Sequence, residues 1–178
     1  VIRPQGLYKL PYFEISRDQA RKDILERLDL PTSAQIIIGV GSVNKSKGYD
    51  LFADCALKVS RVQQNVHFVW LGFLDPARLD TVVETKPEIA AILESKHLIR
   101  LSPQSEIYEW YAASDLFLLT SREDSFPSVV LEALAVGTPV LAFDTSGGFA
   151  DLVTPATGQL VPRENTDSLA DAVVCQLA

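Results

Sequence analysis

The stretch Ile36-Ile37-Ile38-Gly39-Val40-Gly41-Ser42-Val43-Asn44-Lys45-Ser46-Lys47-Gly48 runs from an apolar segment into a loop with glycine and two lysines. An unbroken apolar run, without alternation, marks a strand buried on both faces, the habit of parallel sheets. The same pattern recurs at Val66–Leu71, His97–Leu101, Asp115–Leu119, Pro139–Phe143 and, more briefly, Gln159–Val161. Helical segments are predicted between these runs. Tyr49–Val62 carries Leu51, Phe52, Cys55, Val59 and Val62 at helical spacing. Glu106–Ala113 is short and aromatic, and Ser128–Val136 is apolar with Gly137 just beyond it, where a left-handed cap is wanted. Asp167 can cap a last helix reaching Ala178, and helical pieces broken at Pro87 are expected over Asp75–Glu94. Strand–helix alternation predicts an α/β, Rossmann-like parallel sheet flanked by helices, one domain over residues 1–178. Ligands of such sheets bind beyond the carboxyl ends of the strands. The loops to watch are therefore Gly41–Lys47, Gly72–Asp75, Leu101–Ser105, Thr120–Phe126 and Asp144–Gly148.

The 178 residues are 47% hydrophobic, ample for a packed core and unlike a disordered chain. A net charge of −7 argues against a nucleic-acid or membrane-surface partner, so an anionic ligand needs local positive groups. The longest apolar runs, such as Ile36–Val40 and Val129–Leu131, fall far short of the roughly 18 residues of a membrane span. The chain opens on Val1 and contains no Met, so it is expected to be a fragment of a larger protein. Cys55 and Cys175 have no paired spacing and are expected as reduced thiols in a cytoplasmic protein. His67 and His97 are isolated in the sequence and are expected to be structural. No metal-ligand spacing stands out, and no metal is expected.

Two stretches could carry chemistry. In the first, Gly41 lets backbone approach a phosphate, and Lys45 or Lys47 could supply a point charge before a helix start. The dinucleotide fingerprint is unmet, because Asn44 stands where its third glycine is needed. A plain strand-to-helix turn with solvated lysines explains these residues equally well. In the second, Glu132 interrupts the apolar run Val129–Val136 and needs a partner, either inside the protein or in a ligand's hydroxyl pair. Asp124 lies eight positions earlier; it could cap the helix or, with Ser125 and the amides after Phe126, meet an anionic or polyhydroxy ligand. At helical rise the two carboxylates lie roughly 12 Å apart. A retaining glycosidase pair needs about 5 Å. Asp124 and Glu132 are thus not a hydrolase dyad and would grip two ends of one elongated ligand.

The segment Ser121–Pro139 resembles the acidic signature of glycosyltransferase family 4, retaining nucleotide-sugar enzymes of the GT-B fold. Asp124, seven residues, Glu132 and then Ala133-Leu134-Ala135-Val136-Gly137-Thr138-Pro139-Val140 follow its pattern. Gly41 to Lys47-Gly48, Ala112-Ala113-Ser114-Asp115, Gly147-Gly148 with Asp151, and Gly158-Gln159-Leu160-Val161 also fit, so the likeness covers essentially the whole chain but only the C-terminal half of such an enzyme. The resemblance implies a nucleoside-diphosphate sugar as donor substrate, no cofactor, and an acceptor-binding N-terminal domain as partner. It implies hexosyl transfer to a glycan or lipid-linked glycan, in the cytoplasm or peripheral at the membrane. Lys47 matches the phosphate-binding lysine, Asp124 the acid that meets the transferred sugar, and Glu132 the acid that holds the ribose hydroxyls. The backbone from Ser125 and Phe126 through Ser128 and Val129 corresponds to donors for sugar and diphosphate, and Leu101-Ser102 to the backbone that meets the base. Three positions depart from the pattern. Asp124 replaces the usual glutamate, Ser42 the usual arginine with Lys45 as a substitute charge, and Pro127, which has no N–H, the usual glycine. A sugar-nucleotide-binding module without transferase activity, and a GT-B epimerase or phosphorylase relative, are the alternatives.

Overall fold

Ile36, Ile37 and Ile38 are β-branched, stiff at χ1, and fully buried on alternating sides of an extended backbone. They form the first strand of a computed structural model that describes residues 15–73, 86–124, 127–144 and 148–178. The elements, in chain order among these residues, are α1 (Arg17–Leu28), β1 (Gln35–Val40), α2 (Tyr49–Ser60), β2 (Val66–Leu71), α3 (Pro87–Glu94), β3 (Leu98–Leu101) and α4 (Ile107–Ala113). β4 (Leu116–Leu119), α5 (Ser128–Ala135), β5 (Val140–Phe143), a 3-10 turn (Ala150–Leu152), β6 (Gly158–Val161) and α6 (Thr166–Gln176) complete them.

All six strands pair in parallel in the order β3-β2-β1-β4-β5-β6. The chain builds outward from β1 to β3, returns to the middle, and continues from β4 to β6. β1 and β4 are neighbours, with Ile37 opposite Leu116 and Ile38 opposite Phe117, and the crossovers beyond them leave in opposite directions. That switch point is where a crevice opens beyond the carboxyl ends of an open sheet.

Two cores sandwich the sheet. Ile37, Phe68 and Trp70 pack with Phe52 and Val59 of α2 and Val173 of α6. Ile36 and Ile38 face the other way, onto Ile24 of α1, Trp110 and Tyr111 of α4 and Val130 of α5. Both faces are covered, which is why the strands read as continuous apolar runs. Gly39 is the exception within β1: a Cβ there would stand 2.6 Å from the Trp70 ring and 2.7 Å from Phe52, so its small size admits both aromatics.

Several expectations are corrected. α1 has no counterpart in the sequence reading, because charged residues dominate it. Its signals are nevertheless local: Ser16 caps it by accepting from the Gln19 amide, the capping-box spacing, and Ala20, Ile24 and Leu28 recur every four residues and are buried. α3 begins at Pro87, a position where the missing N–H costs nothing. Residues 75–85 of that expected helical region lie outside the described residues. α6 is capped by Asn165, whose Oδ1 accepts from the Ser168 amide at 2.9 Å, while Asp167 is exposed and paired with Lys58. Val62 lies past the end of α2 and is exposed. Both cysteines are free thiols, Cys55 buried and Cys175 exposed.

His67 and His97, isolated in the sequence, meet where β2 and β3 begin. Their rings stack at 5.6 Å with 14° between planes, and each Nδ1 contacts a backbone carbonyl, of Lys96 and Val66 respectively. Burial, and then the neighbouring His97 and Lys96, lower the His67 pKa below its ordinary 6.5, against the opposing hydrogen bond to the Lys96 carbonyl. Below pH 6.5 the unfolded chain therefore takes up the proton before the folded chain does, and stability falls with pH until the lowered folded pKa is reached. Thermal unfolding of the wild type is expected to lose more midpoint between about pH 7.5 and 5.5 than that of His67→Gln. Equal losses would take His67 out of the acid sensitivity in this window; Asp54, whose pKa the nearby Lys86, Thr166 and Lys58 lower despite burial, stays ionised throughout it and loses its contribution only at lower pH.

Candidate functional site

The loop after β1 turns sharply because its polar groups are spoken for locally. Gly41 donates to the Leu71 carbonyl at 2.9 Å and accepts from the Trp70 indole at 2.8 Å, so its backbone is pinned to β2. Asn44 Oδ1 accepts from the Lys47 amide at 2.8 Å and closes the next turn. Asn44 thus works as a turn residue, the role its short amide side chain suits. Ser42 and Lys45 are exposed, and among the described residues the Lys45 ammonium meets no carboxylate. Gly48 enters α2 with a left-handed φ of 69°, and a Cβ there would stand 1.9 Å from the Thr120 carbonyl oxygen. Only glycine allows this approach of the β1 loop to the end of β4.

The loop after β4 runs along the same segment. Thr120 Oγ1 donates to the Lys47 carbonyl at 3.3 Å, and the Arg122 amide donates to the Ser46 carbonyl at 2.8 Å. Lys47 Nζ and Asp124 Oδ2 form an ion pair at 2.6 Å. The Asp124 side chain is 17% exposed and that of Lys47 36%, so both reach solvent at the crevice. Asp124 does not cap α5: that helix begins after Pro127 with no side-chain cap, and Asp124 is engaged by Lys47 instead. In the first turn of α5 the Val130 amide donates to the Pro127 carbonyl at 3.1 Å, while the Ser128 and Val129 amides have no intrahelical acceptor. Ser125 and Phe126 lie outside the described residues.

Glu132 is not a lone acid. The hydroxyl of Tyr111, a fully buried residue of α4, donates to its Oε2 at 3.1 Å. Burial, then the Glu132 charge, raise the Tyr111 pKa well above its ordinary value and keep the hydroxyl a donor. The partner is a tyrosine 21 positions away, which no helical spacing reveals. Oε1 of Glu132 meets no donor among the described residues. Leu101 and Ser102 end β3 along the sheet from this point. The Leu101 carbonyl accepts from the Gly72 amide at 3.0 Å. The exposed Ser102 accepts at its carbonyl from Gln104, whose own oxygen takes a bond from Arg27.

Of the residues singled out in the sequence, Lys47 and Asp124 are thus in direct contact, Ser128 and Val129 open the helix beside them, and Glu132 follows one turn on. Leu101 and Ser102 belong to a separate strand end and touch neither charge. Sequence reasoning missed Arg122, Asp50, Glu164, Gln104 and Tyr111. Arg122 and Asp50, 72 positions apart, share no local pattern. Among the described residues no three His, Cys, Asp or Glu side chains gather to hold a metal ion, and no helix is long and apolar enough to cross a membrane.

Comparisons with known proteins accord with this architecture. The lipopolysaccharide core biosynthesis mannosyltransferase LpsB of Rhizobium meliloti is 28% identical over 148 residues, which cover 82% of this chain and 42% of LpsB. The structure of Anabaena HepE in complex with UDP and glucose superposes with a TM-score of 0.81 at 20% identity, covering 96% of this chain and 45% of HepE. The C-terminal domain of LpcC, a glycosyl transferase group 1 protein of Francisella tularensis, gives 0.74 at 23% identity and covers 91% and 82% of the two chains. The chain therefore spans less than half the length of LpsB and of HepE. Its six-stranded parallel sheet flanked by helices is the α/β fold of GT-B glycosyltransferase structures. The model of the family described as Glycosyl transferases group 1 matches residues 20–174, and the chain belongs to that family.

Proposed function

We propose that this chain is the C-terminal, donor-binding half of a retaining glycosyltransferase of family 4, one that transfers a hexose from a nucleoside-diphosphate sugar to a glycan or lipid-linked glycan. The observation that carries the reading is the pairing of Lys47 with Asp124 beyond the switch point between β1 and β4. In this reading Lys47 and the α5 amides at Ser128 and Val129 meet the diphosphate. Asp124 turns from Lys47 to the sugar hydroxyls, Glu132 offers Oε1 to the ribose, and backbone at Leu101 and Ser102 faces the base. The exposed Lys45 stands in for the charge absent at Ser42. Transfer breaks the bond between the sugar C1 and the diphosphate oxygen and forms one from C1 to an acceptor oxygen on the same face, with the acceptor's hydroxyl proton passing to the departing diphosphate. Lys47 and the helix dipole stabilise the departing diphosphate, so no metal or cofactor is needed. The acceptor comes from an N-terminal domain across the crevice, in the cytoplasm or at the membrane surface.

The magnitudes are consistent with such an exchange of partners. Exposed ion pairs are worth about 0–1 kcal/mol, and with Lys47 36% and Asp124 17% exposed this pair belongs at the upper end of that range. A charge-assisted hydrogen bond to phosphate contributes about 1.5–3 kcal/mol. A diphosphate can therefore draw Lys47 away from Asp124 at little cost.

A thermal-shift panel of nucleoside diphosphates is expected to raise the unfolding midpoint with at least one base, while the isolated chain transfers no sugar. Lys47→Ala is expected to weaken that diphosphate by about 1.5–3 kcal/mol in titration calorimetry and to change the midpoint without ligand little. Undiminished affinity in the variant would take Lys47 out of the site. Glu132→Gln keeps an acceptor for the Tyr111 hydroxyl but loses the charge. Its midpoint should stay close to wild type and its nucleotide affinity fall by at least about 1 kcal/mol. Wild type should also prefer a ribonucleotide to its 2′-deoxy analogue and the variant should not; equal discrimination by both proteins would show that Glu132 does not hold the ribose.

A further inference from the structure

Arg122 makes more polar contacts than any residue assigned above, and the donor reading gives it no task. It lies two residues before Asp124, with a side chain only 15% exposed. Its guanidinium forms a fork with Asp50, Nη1 to Oδ1 and Nη2 to Oδ2, both 2.8 Å. Nη1 also donates to the Lys45 carbonyl at 2.8 Å, and Nε to Glu164 Oε2 at 2.9 Å. Its main-chain amide holds the Ser46 carbonyl at 2.8 Å. One residue thus fastens three connections: the β1–α2 loop at Lys45 and Ser46, the first turn of α2 at Asp50, and the β6–α6 turn at Glu164.

We propose that Arg122 is a positioning residue that sets Lys47 for the diphosphate of the donor; the proposal rests on the donor reading. Lys47 lies between residues that Arg122 holds, with Ser46 and Lys45 before it and Asp50 after it. Its ammonium is carried on a flexible stem. The backbone at its root therefore decides where the charge can reach. A guanidinium suits this task because its planar fork binds one carboxylate at two points while a third N–H reaches elsewhere, which an ammonium cannot do in one plane. Its two carboxylates, with Asp50 first, raise the Arg122 pKa further above an already high value. The latch therefore stays charged wherever the protein is folded. It also consumes Arg122: the guanidinium faces Asp50 and Glu164, and its part in binding runs through Lys47.

The test separates nucleoside monophosphate from diphosphate binding in the 178-residue chain. In the donor reading base and ribose are held by Leu101, Ser102 and Glu132, remote from Arg122, whereas the second phosphate depends on Lys47. Arg122→Gln is expected to reduce affinity for the diphosphate about tenfold and leave the monophosphate within about twofold. Arg122→Lys keeps the charge but loses the fork and is expected not to restore the preference. Asp50→Asn removes the fork's partner alone and carries the test if Arg122→Gln fails to fold. A merely structural role predicts that both affinities fall together, in step with the unfolding midpoint, and that result would overturn the proposal. A full diphosphate preference in Arg122→Lys and Asp50→Asn would overturn it as well. Wild-type protein that binds no nucleoside diphosphate at all would overturn the donor reading and the proposal together.

Discussion

The close approach of Gly48 to the Thr120 carbonyl sets the distance between the two loops that meet above the centre of the sheet. A parallel sheet whose order reverses between β1 and β4 sends the crossovers after these strands to opposite faces. Their loops then have to be brought together by contacts of their own. Glycine at position 48 removes the Cβ that would otherwise stand 1.9 Å from that oxygen. With the gap closed, Thr120 reaches the Lys47 carbonyl, the Arg122 amide reaches Ser46, and the Lys47 ammonium reaches Asp124. Lengthening the gap by the width of a methyl group would strain every one of these bonds at once.

Electrostatics at the crevice are local. The chain carries a net charge of −7, so its overall field disfavours an anionic ligand. Two cations on the loop pair, Arg122 and Lys47, are partnered differently. Arg122 is engaged by two carboxylates and a carbonyl. Lys47 has one carboxylate partner among the described residues, Asp124, and its own side chain is 36% exposed. The lysine is the more exposed of the two, and the guanidinium fork lies closer to the core.

Rigidity behind the loops comes from the layers. Trp70, fully buried on β2, fills the space left by Gly39 and holds the Gly41 carbonyl with its indole N–H. At the opposite end of the central strands Asp115 accepts from the Ile36 amide and from Arg21, which also binds the carbonyls of Ala34 and Ala113. The amino ends of β1 and β4 are thereby tied through α1, so the register that aligns their carboxyl ends is held from below as well as by the sheet.

Much of this was legible in the residues alone. Apolar runs announced the six strands, and the four inner ones are buried on both faces, which leaves little room for polar alternation, while the edge strands β3 and β6 are only partly buried. Strand–helix alternation announced the doubly wound class, and Asp124, Glu132 and Gly137 announced the helix beside the crevice. Local sequence also held signals that were passed over, such as Ser16 with Gln19 at the start of α1 and Asn165 ahead of α6. Partner choice was another matter. That Asp124 pairs with Lys47 across 77 positions, that Glu132 takes the Tyr111 hydroxyl, and that Arg122 forks onto Asp50 are decided only when separate crossovers are laid side by side. Burial patterns and caps depend on neighbours within a turn or two and so are written along the chain. Long-range polar pairs depend on strand order and on a gap set by one missing methyl group, and only the tertiary structure supplies those.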